Sequence, residues 1–211
     1  MKLANMAWQW NKRLRRYQES STGKILSSEQ QRALHQQFID KQKALTDDIA
    51  RRLAAREITL QQAEALFRER IKTVWLDEYA LGIGGRYQMT PTDFGRVGAM
   101  VKTQYNYAHI FFQEIARGEH SEAMVRLKMG RYLESGGMAY ERANALSHGF
   151  ELPTYPRDGT QECRANCRCY WSIEETEGEW RARWVKARGD NCATCIDNAS
   201  SYNPLVLKKA A

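Results

Sequence analysis

All five cysteines of this chain fall between positions 163 and 195. Cys163-Arg164-Ala165-Asn166-Cys167-Arg168-Cys169 carries three thiols, and Cys192-Ala193-Thr194-Cys195 carries two more. A Cys-x-x-Cys lets two thiolates reach one metal from a tight turn, and tetrahedral zinc takes four ligands. Cys163, Cys167, Cys169, Cys192 and Cys195 are therefore candidate ligands, two from each cluster with one to spare. His148, just upstream, is a candidate substitute in a mixed site. Disulfides are the second chemistry open to these residues, because residues 151–211 hold few apolar side chains for a core of their own and need a staple. An odd number of cysteines argues against a complete disulfide framework. Reactive chemistry is the third: Cys192 and Cys195 match a redox Cys-x-x-Cys, but without the βαβ surroundings that motif uses.

No other catalytic constellation is visible. There is no Cys-His-Asn order, no paired-carboxylate signature and no Gly-rich phosphate loop, so no catalytic residue is assigned and a non-enzymatic protein is expected. The histidines, His35, His109, His120 and His148, do not pair at helical ligand spacing. They read as surface or capping residues.

The elements that must position the cysteines are mainly helical. With 211 residues, 43% of them hydrophobic and 27% charged, the chain suits a soluble fold with one core and a small appendage. No apolar run approaches the roughly 18 residues that span a bilayer, and the N-terminus shows no secretory pattern. The expected workplace is cytosol or a particle assembled there, where clustered cysteines more often mean metal than disulfides.

Residues 1–150 read as a helical body and residues 151–211 as a cysteine-rich module. The body opens with a helix over 4–18, in which Met6, Trp10 and Leu14 share a face and Lys12, Arg13, Arg15 and Arg16 lie opposite. Long helices follow over 28–56, 59–81 and 90–117, with shorter ones near 121–134 and 138–147. Gln31 after Ser28, Gln62 after Thr59 and Asp93 after Thr90 mark the three long starts. The expected apolar stripes run through Leu34, Phe38, Leu45, Ile49 and Leu53, then Leu60, Ala63, Phe67, Ile71 and Val74. The third runs through Phe94, Val97, Val101, Tyr105, Ala108, Phe112 and Ile115. In the module, Cys167, Cys169, Trp171 and Ile173 alternate as in a strand. Trp180 and Trp184, spaced by four beside Arg181, Arg183, Lys186 and Arg188, predict a short amphipathic helix. The fold class is thus a helical hairpin or bundle with a small, loop-rich, cysteine-stapled module containing a short strand or hairpin.

A net charge of +7 and a pI near 9.2 favour a polyanionic partner. Lys12, Arg13, Arg15, Arg16, Arg181 and Arg183 are the candidate DNA contacts, because guanidinium groups suit phosphate.

Leu152-Pro153-Thr154-Tyr155-Pro156-Arg157-Asp158-Gly159-Thr160, followed by Cys163-x-x-Asn166-Cys167-Arg168-Cys169, resembles the C-terminal signature of tailed-phage minor head proteins. These are the head-morphogenesis proteins related to the phage Mu F protein and the minor head protein of phage SPP1. Their signature reads Leu-Pro, then Pro-Gly-Asp-Gly, a cysteine, and Asn-Cys-x-Cys. Here Arg157 stands at the usual glycine, and the Cys-x-x-Cys follows the signature rather than preceding it. The resemblance implies a minor virion component inside the capsid near the portal, present in the host cytoplasm during assembly. It implies multiple copies that associate with portal or major capsid protein, aid head assembly, and contact packaged double-stranded DNA, with no membrane role. Two other readings are a zinc-dependent nucleic-acid-binding regulatory module and a thiol redox protein using Cys192 and Cys195.

Overall fold

The computed structural model describes residues 8–14, 16–163 and 167–209, with backbone alone at 8, 28, 29, 31, 32 and 34. Five helices build the body: α1 Ser28–Ala54, α2 Leu60–Ile83, α3 Pro91–Ala116, α4 Glu122–Glu134 and α5 Gly137–Ser147. Their starts are written locally. The Thr59 and Thr90 side chains accept the N–H groups of Gln62 and Asp93, which reach back to the cap backbone in turn. The first box is set one residue earlier than Ser28 and Gln31: Ser27 pairs reciprocally with Gln30 at 2.9 and 3.2 Å.

Asp93 also accepts the Tyr79 hydroxyl at 2.6 Å and Arg96 at 3.1 Å, so one carboxylate ties the start of α3 to the buried face of α2. Burial pushes its pKa up, but the Tyr79, Thr90 and Arg96 donors outweigh that and hold it below the usual carboxylate range. Asp93→Ala is expected to lower stability by about 1–3 kcal/mol, read as a fall in urea midpoint. That contribution is present above the ordinary carboxylate pKa and is lost as pH falls through the lowered folded value.

The central helix is α2, which packs against α1, α3, α4 and α5. Ala63, Phe67, Ile71, Val74, Trp75 and Tyr79 are all buried. Gly82 lets α5 come close to α2, since a Cβ there would meet Ala143 Cβ at 2.6 Å. The Leu34 side chain lies outside the described residues; among the described stripe positions two lie outside the core, Leu45 at 41% and Phe94 at 47% exposed. Because α1 lies against α4 as well as α2, its buried face runs through Phe38, Ile39, Gln42, Thr46 and Ile49, and Leu45 falls on the far side.

The expected helix over 4–18 is corrected. Its described part is a β-hairpin, β1 Trp8–Asn11 and β2 Arg16–Glu19, with Trp10 opposite Tyr17. A spacing of four is also even, so it fits a strand face as well as a helix face. The turn decides: Asn11 Oδ1 accepts the N–H groups of Arg13 and Leu14 at 3.1 and 3.0 Å. Trp10 and Tyr17 meet edge to face at 4.9 Å, and the Tyr17 hydroxyl donates to Leu81 O at 3.1 Å. Trp10 lies over Gly84, where its indole fills the space a Cβ would take.

The C-terminal module is a three-stranded antiparallel sheet, β3 Tyr170–Thr176, β4 Glu179–Val185 and β5 Leu205–Lys208, with α6 Ala193–Ser201 between β4 and β5. The expected helix at Trp180–Trp184 is therefore strand β4, again misread through an even spacing. Trp180, Ala182 and Trp184 point inward and Arg181 and Arg183 outward. Trp171 pairs with Trp184 across the sheet, rings 5.4 Å apart and nearly perpendicular. The module also has more core than its composition promised. Leu152, Tyr155, Cys167, Cys169, Trp171, Ala182, Trp184 and Cys195 form a second buried cluster, joined by Ala145 of α5.

Candidate metal centre

Three pieces of chain bring the sulfurs together. The first is the segment from Leu152 to Cys163, organised around Asp158. That carboxylate accepts the Tyr155 N–H at 2.8 Å, the Thr160 N–H at 2.9 Å, and the hydroxyls of Thr154 and Thr160. Burial pushes the Asp158 pKa up, but these donors hold it below the usual range. Gln161, buried beneath the loop, donates to Tyr155 O at 3.1 Å and accepts the Arg157 N–H at 3.0 Å. Arg157 sits at φ +72°, the left-handed region that favours glycine. The Trp171 indole N–H donates to Thr154 O at 3.0 Å and ties this loop to the second piece, the entry to β3.

Cys167 and Cys169 lie in that entry, both buried and just ahead of the strand rather than within it. The third piece is the start of α6, where Cys192 is the N-cap and Cys195 sits in the first turn. Glu162 of the loop accepts the Ala193 N–H at 3.2 Å, which joins the first piece to the third.

The sulfurs of Cys163, Cys192 and Cys195 all lie within 4.8 Å of one another, and so do those of Cys167, Cys169 and Cys195. Cys195 belongs to both groups. Its sulfur is 3.8 Å from that of Cys163 and 3.6 Å from that of Cys167. A disulfide would need about 2.05 Å, and all five cysteines are free thiols. Tetrahedral thiolate ligation at about 2.3 Å from zinc separates sulfurs by about 3.8 Å. The arrangement suits a shared metal ion, and the disulfide reading is not what the sulfur positions support.

Ligation needs thiolates, and each group holds one sulfur prepared for that state. Burial pushes the Cys192 thiol up, but the N–H groups of Cys195 and Cys163 outweigh it and bring its pKa down. Cys169 is held low chiefly by the Cys167 thiol, which donates to it, and then by the Ala187 N–H, while Cys167 rises in exchange.

No family model, curated protein or solved structure matches this chain.

The remaining candidates fall out as follows. His148 is in neither sulfur group among the described residues. It ends α5, with its ring 4.3 Å from that of Trp180. Of the candidate DNA contacts, Lys12, Arg13 and Arg16 are exposed at the β1–β2 turn, and among the described residues no carboxylate pairs with them. Arg15 lies outside the described residues. Arg181 and Arg183 are engaged instead, with Glu179 at 2.7 Å and Glu174 at 2.9 Å. The basic candidates thus do not form one patch by sequence order: a hairpin tip carries free cations, and the sheet carries paired ones.

Sequence reasoning passed over a buried ionic quartet at the seam between body and module. His35 of α1 lies 2.7 Å from the fully buried Glu78 of α2. Glu141 of α5 is buried and accepts the Trp171 N–H, and the Arg157 charge favours its ionised form. The Arg157 Nη1 lies close over Gly137, where a Cβ would meet it at 2.8 Å, and His35 Nε2 would be 3.5 Å away. One signal was present: Glu78 continues the Phe67, Ile71 and Val74 stripe, a place where a carboxylate needs a partner.

Proposed function

We propose that this chain is a non-enzymatic minor structural protein of a tailed-phage head, a portal-proximal component inside the capsid. The metal in its cysteine knot is zinc. The observation that carries the reading is how the signature residues behave. Leu152 to Cys163 fold around Asp158 as one hydrogen-bonded unit and deliver Cys163 to the sulfur cluster. The position at which the resembling family has glycine is occupied by Arg157 in a left-handed conformation. A loop whose role is to hold a metal knot against a helical body is architecture for assembly rather than turnover.

In this reading the helical faces meet portal or major capsid protein, and the β1–β2 tip, with Lys12, Arg13 and Arg16, touches packaged DNA. The cysteine module packs against the helical body through Ala145 of α5. Co-expression with the portal protein of the same genome is the test. A complex that survives size exclusion at moderate salt is expected, with duplex DNA binding that weakens steeply as salt rises, because phosphate contacts release counterions. A chain that ignores portal, capsid protein and DNA alike would remove the proposal.

One observation favours a second reading, thiol redox chemistry. Cys192 caps α6 with a lowered pKa, as in helix-N-terminal redox pairs. Against it, the Cys195 sulfur touches those of Cys163 and Cys167. Insulin reduction by the purified chain separates the two: turnover supports redox, and an inert chain with metal bound supports the knot.

A further inference from the structure

Between α3 and α4 runs an open groove of about 1110 Å³ that the reading above leaves unused. Its α3 wall presents Tyr107 and Ile110, 55% and 51% exposed, at helical neighbour spacing. Its floor includes Trp75, and its other wall includes Arg131 of α4 and Arg142 of α5. The buried side-chain positions without a partner in this lining are both donors. Trp75 is completely buried, yet its indole N–H has no acceptor, and the buried Nε–H of Arg142 has none either. Arg131 is exposed and, among the described residues, unpaired with any carboxylate.

The groove's own carboxylates are spent. Glu114 is taken by His120 and Lys128, Glu151 by Arg142, and Asp158 by its loop. What fits must bring acceptors and an apolar face together. The α3 wall runs from Met100 to Glu114, about 21 Å at 1.5 Å per residue, or about four turns of helix.

We propose that this groove docks an acidic amphipathic helix of a partner protein, in the helix-in-groove mode. Its apolar side lies on Tyr107 and Ile110. Its carboxylates face Arg131, and Trp75 lies beneath as the floor. The inference is independent of the phage assignment, since it names a chemistry and not a source.

The test is selection of displayed random 12-residue peptides on the full chain, followed by synthesis of the most enriched sequence. The expected result is apolar residues at spacings of three and four flanked by Asp or Glu. Binding should be at least tenfold tighter than that of a scrambled peptide of the same composition, which controls for attraction to a basic protein. Arg131→Glu and Ile110→Asp should each weaken it at least tenfold with helix content unchanged, while Lys24→Glu, in the exposed segment between β2 and α1, should not. The Trp75 indole resonance, assigned through Trp75→Phe, should move on binding. Absence of enrichment, enrichment of basic sequences, full-strength binding to Arg131→Glu, or a stationary Trp75 resonance would each overturn the proposal. None of these outcomes depends on whether portal protein or DNA binds.

Discussion

Cys195→Ser is expected to empty the metal centre and unfold the C-terminal module while the helical body stays folded. Cys195 is the cysteine common to both sulfur groups, the one sulfur set within reach of the ligands on either side. The module's core is built on the site: Trp171, Trp184 and the buried cysteines form one cluster. The body's core, from Phe38 to Ala143, is separate. Apparent binding free energies of structural zinc are on the order of 10 kcal/mol, comparable with the whole stability of a domain at about 5–15 kcal/mol. Loss of the ion therefore removes the module's fold outright. Metal analysis should fall from about one ion per chain to near none. Near-ultraviolet dichroism from the packed tryptophans should collapse while far-ultraviolet helix signal persists. Among single serine variants of the other four cysteines, one should keep its metal, because tetrahedral ligation leaves one sulfur over. A Cys195→Ser chain that retains metal and tryptophan packing would show that the centre is not built around this residue.

The long helices were legible because their signals are local. Caps at Thr59 and Thr90, and the stripe from Ala63 to Val74, are set by neighbours within a turn. The cysteines were legible as a group because metal chemistry clusters its ligands in sequence. What was not legible depended on distant partners. Trp10 and Trp184 each sit on an even spacing that helix and strand share. Both are strands because of cross-strand partners, Tyr17 in one case and Trp171 in the other. That Arg183 is neutralised follows from the same register, which brings Glu174 of β3 to it, while Arg181 pairs along its own strand with Glu179. Leu45 and Phe94 match their helical periods and still lie outside the core, since which side of a helix is covered depends on every helix packed against it. The ionic quartet draws one residue from each of four segments, and no spacing rule joins His35 to Arg157.

That quartet makes the seam between body and module more stable in acid than in base, and Arg157 is its most sensitive member. Burial raises the Glu141 pKa to about 7, although Arg157 and His35 oppose the rise. For His35, burial pulls the pKa down, but the Glu78 carboxylate overrides it and the net shift is upward. Both groups therefore hold a proton more tightly folded than unfolded. Each contributes stability that is full below its unfolded pKa and is lost as pH rises through its folded one. For Glu141 the window runs from the ordinary carboxylate range up to about 7, and the total is on the order of 3 kcal/mol at 1.36 kcal/mol per pH unit. Metal binding acts in the opposite sense, because acid protonates thiolates. The informative quantity is thus the difference in urea stability between the native chain and Glu141→Gln, measured at pH 5 and pH 8, in which the metal contribution cancels. Glu141→Gln should gain relative to the native chain at pH 8 and lose that advantage at pH 5. Arg157→Ala should cost about 3–5 kcal/mol by leaving buried carboxylates without their cation, and more at pH 8 than at pH 5. Arg157→Gly should cost about 1 kcal/mol less than Arg157→Ala, because glycine relieves the left-handed backbone at φ +72°. A Glu141→Gln difference that does not change with pH would mean that this carboxyl group does not titrate between the folded and unfolded chains in that range. The cost of Arg157→Ala would then belong to the loop's packing alone.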